Sequence, residues 1–154
     1  MKLQSTTRAM IDTFIAGSPK AQPRVKAFSR GGRAGVYTPS TADGWRKLVK
    51  LSLSEFEGLG LTGPIEVEVS FFFDRPKSHR RSGKYADLLK DSAPTHHLVK
   101  PDPDNLVKLP LDVATKLKIS SDDAQVVKAL VTKEFADNCE AGMRFILKEV
   151  KKSS

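Results

Sequence analysis

Cys139 is the only cysteine in the chain. This excludes an intrachain disulfide and any zinc cluster built on several thiolates, and a reducing compartment follows. Long apolar runs are missing too. None approaches the roughly 20 residues that a membrane-spanning helix needs. The stretch Met1–Arg8 lacks the apolar character of a secretory leader. The reading is a cytoplasmic protein without a membrane partner. There is no internal repeat and no low-complexity linker, so the 154 residues are read as one domain. Its core is expected over about residues 11–150, with flexible ends. Positive charge, by contrast, is in excess: 26 Lys and Arg against 18 Asp and Glu give a net charge of +8. That surplus favours polyanions, nucleic acid before anionic membrane.

Apolar periodicity divides the chain into elements. Ile11 to Gly17 reads as a short strand, followed by an extended basic segment bracketed by Pro19 and Pro23. A Gly-rich turn over Gly31–Gly35 leads to Val36-Tyr37, also extended. A helix is expected from Ser40 or Thr41, with Trp45, Leu48, Val49, Leu53 and Phe56 on one face and Gly58 as its stop. Ile65 to Phe73 alternates apolar and polar residues and is the clearest strand. Residues 75–100 show neither period and hold seven cations against two acids. A loop that long in a compact domain is a candidate for function. A second helix is expected from about Pro103 to Leu117, with Asp102 at its N-cap and a kink or a later start because of Pro110. Gln125–Phe135 and Gly142–Val150 read as a closing hairpin around Asp137-Asn138. The order β-β-α-β-α-β-β gives an α+β fold, a mixed sheet with two main helices packed on it.

The chemistry centres on Asp102-Pro103-Asp104-Asn105. Carboxylates are the preferred ligands of hard cations such as Mg²⁺ and Mn²⁺. Residues two apart on a helix diverge by about 200°, so both acids meet one ion only at a loop-to-helix junction. An acidic helix start that merely offsets the macrodipole is the plain structural reading. An EF-hand is excluded, because Leu106, Val107 and Val113 occupy positions that need an oxygen ligand, glycine and glutamate. Lys108 and Asp112 follow Asp104 at four-residue steps and can share its helical face. Asp122-Asp123 brings further carboxylates from another element. His79, His96 and His97 are left out of the site. Tyr37 is a candidate for stacking on exposed bases, whereas Trp45 reads as core.

Taken together, Lys100-Pro101-Asp102-Pro103-Asp104-Asn105-Leu106 with Lys108, Leu111-Asp112, and Asp122-Asp123-Ala124-Gln125-Val126 resembles the RusA family of Holliday junction resolvases. Pro19-Lys20-Ala21-Gln22-Pro23-Arg24, Val36-Tyr37-Thr38-Pro39 and Arg75-Pro76-Lys77-Ser78-His79 extend the likeness to about residues 12–149. Gln22, where the family has arginine, and Pro110 depart from the pattern. The resemblance implies a homodimeric, Mg²⁺- or Mn²⁺-dependent endonuclease that makes paired nicks in four-way DNA junctions during recombination and repair. It carries the catalytic and metal-binding roles to Asp102, Asp104 and Asp123, with Lys108 assisting. DNA contacts are expected from Lys20, Arg24, Lys26, Lys77, Arg80, Arg81, Lys84 and Lys100. Two other readings stay open: a non-cleaving branched-DNA-binding protein, and an Asp-x-Asp metal enzyme acting on nucleotides.

Overall fold

The alternation that marks residues 65–73 explains the centre of the fold. In the computed structural model, which describes residues 5–152, Ile65–Phe73 forms strand β4, with Ile65, Val67, Val69 and Phe71 buried on one face. A strand buried this way needs a partner on both edges to satisfy its backbone. Parallel to β4 runs β5 (Val126–Phe135), and antiparallel to it runs β6 (Gly142–Lys152). The outer strand β1 (Ser5–Ala16) pairs antiparallel with β6, completing the order β1-β6-β4-β5. The expected first strand is therefore longer than Ile11–Gly17. Expectations about the extreme ends fall on residues 1–4 and 153–154, outside the described residues.

Two helices cover the apolar face of the sheet. Helix α1 (Asp43–Leu53) contributes Trp45, Val49 and Leu53 to the core. It starts at Asp43 rather than at Ser40 or Thr41, and Leu48, expected on the inner face, is 41 % exposed. Helix α2 (Pro103–Lys116) buries Leu106, Leu109, Pro110, Val113 and Ala114. It runs without interruption through Pro110, so the alternative of a later start does not hold; the proline ring is itself part of the buried face. The connection β4–α2–β5 is the helical crossover that joins parallel strands. No helix among the described residues is long and apolar enough to cross a membrane.

The expected closing hairpin is corrected by this topology. The chain does reverse between β5 and β6, but β4 lies between them. A second correction adds a strand. Residues read as an extended basic segment and a Gly-rich turn form a separate two-stranded ribbon, β2 (Lys26–Arg30) and β3 (Arg33–Tyr37). Gly31 and Gly32 make its tight turn with φ of 57° and 76°, values that glycine adopts without a side-chain clash.

Candidate active site on helix α2

Asp102 sits at the N-cap position of α2 with extended backbone and accepts Leu106 N–H on its carbonyl at 3.0 Å. Its side chain makes no capping bond, which leaves the carboxylate available. Pro103 starts the helix and Asp104 lies in its first turn, both exposed. Next to this end runs the basic segment. Gln22 N–H donates to the Asn105 carbonyl at 3.0 Å, and Arg46 joins the Gln22 side chain to Asp112, the latter at 2.8 Å. Ala21, Lys100, Pro101, Asp102 and Asn105 line a shallow cleft. Lys20 and Arg24, two of the predicted DNA-contact residues, flank Gln22 in sequence on this segment.

Asp123 lies elsewhere. Its Oδ1 accepts a hydrogen bond from the Thr115 hydroxyl at 2.7 Å, near the C-terminal end of α2. Asp104 and Thr115 are eleven residues apart, about three turns, which puts them on one face of the helix and roughly 16 Å apart along it. Among the described residues no three His, Cys, Asp or Glu side chains come together to hold a metal ion. Asp104 and the Thr115 contact of Asp123 thus share a helical face, with Asp102 at its N-terminal end, but the three aspartates are not gathered within one chain. Lys108, exposed, and Leu111, half-buried, lie between the two ends on that face.

The neighbouring acid, Asp122, is committed to its own turn. Its carboxylate accepts from Ala124 N–H at 2.9 Å, and Gln125 Oε1 accepts from the Ser121 and Asp122 N–H groups at 2.6 and 2.9 Å. Gln125 also donates to the Leu61 and Gly63 carbonyls, both at 2.9 Å. This clamp fixes the turn that presents Asp123 to α2. The Asp122-x-x-Gln125 spacing is that of a capping box, a signal for Gln125 in the sequence itself.

The loop over residues 75–100 is organised around Arg75. Its side chain is 4 % exposed, pairs with Asp137 through two bonds of 2.7 and 2.9 Å, donates to the Pro94 carbonyl at 2.7 Å and lies 4.1 Å over the Phe135 ring. The Arg75 guanidinium holds the Asp137 carboxyl below its ordinary range, chiefly through those hydrogen bonds. Two short 3-10 turns, Lys77–His79 and Gly83–Tyr85, follow. Lys77, Arg80, Arg81 and Lys90 line one basin, while Lys84 stands over Tyr85. The predicted DNA contacts are therefore distributed: Lys100 in the cleft with Asp102, Lys20 and Arg24 on the segment that Gln22 ties to α2, Lys26 on the ribbon, and Lys77, Arg80 and Arg81 in the basin.

His97, set aside on sequence grounds, is buried. It stacks on Phe73 with ring centroids 4.2 Å apart. Burial, reinforced by Lys133, lowers its pKa. His79 meets Phe135 edge-on, and His96 is exposed. Trp45 is core, as expected, and Tyr37 is half exposed on the ribbon. The Phe71–Phe73 run is divided between the two faces of the sheet: Phe71 is core, Phe72 tilts against Phe14 on the opposite face, and Phe73 meets His97.

Compared with known proteins, residues 16–144 match the family model described as Endodeoxyribonuclease RusA. No curated protein sequence matches the chain.

Proposed function

Because the chain belongs to the RusA endodeoxyribonuclease family, we propose that it is a homodimeric, divalent-metal-dependent endonuclease that resolves four-way DNA junctions by paired nicks in recombination and repair. The observation that carries this reading is the placement of Asp102 and Asp104 at one end of an exposed face of α2 and of Asp123 at the other. Two copies with antiparallel α2 helices bring Asp102 and Asp104 of each beside Asp123 of the other. A two-fold axis then yields two identical sites, matching the near two-fold symmetry of a four-way junction. Half-buried Val107 and Leu111 supply apolar surface for that contact.

The donor set fits Mg²⁺ or Mn²⁺, since all three groups are carboxylates, but a single chain supplies only two of them at one place. Asp102, Asp104 and Asp123 of the second copy would hold the ion. Bound there, it would offset phosphoryl charge and favour ionisation of the attacking water. Lys108 lies one turn beyond Asp104 with its ammonium exposed, placed to hold the scissile phosphate or to position the water. Because the acids repel DNA, affinity has to come from cations around them. Lys20, Arg24 and Lys100 act at the cleft, Lys26 on the ribbon, and Lys77, Arg80, Arg81 and Lys84 along the loop. We place the activity in the cytoplasm of a bacterial or phage-infected cell.

The test incubates the protein with four-way, forked and linear DNA, with Mg²⁺ or with a chelator. Junction cleavage in Mg²⁺ alone, abolished in Asp104→Asn while junction binding is kept or tightened, is the expected result. Substantial cleavage by Asp104→Asn refutes the site. Binding by the wild-type protein without cleavage in Mg²⁺, or in Mn²⁺ put in its place, points instead to a non-cleaving binding protein.

A further inference from the structure

The β2–β3 ribbon is unused by the site just described except for Lys26, and its construction is uneven. In the antiparallel register, Lys26 faces Tyr37, Phe28 faces Gly35 and Arg30 faces Arg33. Directly opposed residues share a face, and side chains alternate along each strand. One face therefore holds Lys26, Phe28, Arg30, Arg33 and Tyr37, which are all the cations and both aromatics of the ribbon. The other holds only Ala27, Ser29, Ala34 and Val36. Every residue of the two strands is exposed apart from half-buried Gly35.

Two features show that the basic-aromatic face is shaped rather than accidental. Phe28 lies across Gly35, where an added Cβ would come within 2.6 Å of the ring. This brings Phe28 to 6.2 Å from Tyr37, ring to ring. Around the ribbon the chain carries no acid at all from Thr13 to Ala42, while Lys20, Arg24, Lys26, Arg30 and Arg33 fall in that span. A two-stranded ribbon alone is marginally stable in water, and both rings are exposed, with ring-to-ring contact only to each other among the described residues.

We infer that this face is a binding platform for unstacked nucleotides of a DNA strand, with bases stacking on Phe28 and Tyr37 and phosphates paired with Lys26, Arg30 and Arg33. Interleaved cations and aromatics are what a single strand requires, because every base offers a π-face and every linkage a charge. A protein partner would need acids spaced to match the cations, whereas a nucleic-acid strand supplies a charge at every linkage. The inference rests on the nuclease reading for the branch point as the source of such nucleotides. It assigns Phe28, Arg30, Arg33 and Tyr37 a role that the aspartate site does not.

Binding is measured in chelator, so that nothing is cut, on a four-way junction and on a single-stranded oligonucleotide, each with 2-aminopurine as reporter. Wild-type protein changes the reporter's fluorescence on both. Phe28→Leu weakens single-strand binding by about fivefold or more, the effect of losing one base stack, and abolishes the fluorescence change. Arg30→Gln with Arg33→Gln makes the plot of log affinity against log salt on the single strand shallower by about 1.4, the value for two lost phosphate contacts. Val36→Thr, on the opposite face, changes neither. Thermal unfolding of all variants matches wild type, since every substituted residue is exposed. If the charge variants alter the slope while Phe28→Leu behaves as wild type, the ribbon grips duplex DNA and the stacking inference is overturned. If no variant on this face alters binding, or Val36→Thr acts as strongly, the platform is overturned altogether. A wild-type protein that binds the single strand through these residues but shows no preference for the junction sustains the platform and refutes the junction-resolving reading instead.

Discussion

Mixing two inactive chains distinguishes a shared site from a site within one chain. Along α2, Asp104 and the Thr115–Asp123 pair are roughly 16 Å apart, whereas Mg²⁺ holds its oxygens at about 2.0–2.1 Å. No rotamer change closes that gap. If two copies complete each site, Asp104→Asn and Asp123→Asn are each inactive alone. A mixed dimer then has one doubly defective site and one with all three carboxylates intact. Equal amounts pairing at random give about half mixed dimers, so about a quarter of all sites recover. Because each mixed dimer cuts one strand only, a supercoiled cruciform plasmid should yield nicked circles rather than linear product. The converse mixture is equally telling. A chain carrying both substitutions, mixed with wild type, inactivates both sites of every mixed dimer, leaving about a quarter of sites rather than about half. Mass analysis verifies that the chains have exchanged. A dead first mixture in which mixed dimers are present refutes the shared site.

Three further outcomes are expected. Arg75→Ala removes a buried guanidinium that pairs with Asp137 and covers Phe135. Asp137, being partly exposed, regains water, so the cost is about 2–4 kcal/mol, below that of breaking a fully buried pair; urea denaturation showing less than about 1 kcal/mol would discount the loop's anchor. His97 has a lowered pKa in the folded chain, mainly from burial, so its stabilising contribution is complete above pH 6.5 and declines as pH falls below it, where only the unfolded chain takes up the proton. His97→Phe, which keeps the contact with Phe73, should lose less stability than wild type between pH 8 and pH 5, and equal losses would contradict this. Replacing Arg80, Arg81 and Lys84 with Ala should weaken junction binding without unfolding and flatten the salt dependence by about 0.9 per lost phosphate contact; an unchanged slope would leave that loop a solvated surface.

The legible parts of the fold were those where one face is buried. β4 was read from its alternation, both helices from their apolar faces, and the N-cap position of Asp102 from the proline after it. The chain reversal between β5 and β6 was legible as well, but their separation was not. A turn records a change of direction, and only the demand of β4 for a partner on each edge determines what lies between. The ribbon escaped because its strands bury nothing, so the alternation there is of charged and aromatic against small residues and no apolar face marks it. In the candidate site the motif supplied the residues, while sequence spacing gave no sign that Asp123 lies at the far end of α2. The order inside residues 75–100 depends on Arg75 reaching Asp137, 62 positions away, a contact without a local signal.

The sheet order also bears on synthesis. β6, the last of the described strands to leave the ribosome, is an interior strand, between β1 and β4. Until it arrives, β1 has no hydrogen-bonded neighbour, and Asp12 waits 132 positions for Arg144. At about 5–20 residues per second that interval is roughly 7–26 s. During it the apolar residues Ile11 and Ile15 and one edge of β4 are uncovered. Completion of the sheet is therefore a late event, and shortening the chain before Gly142 would part the sheet in the middle rather than trim its edge.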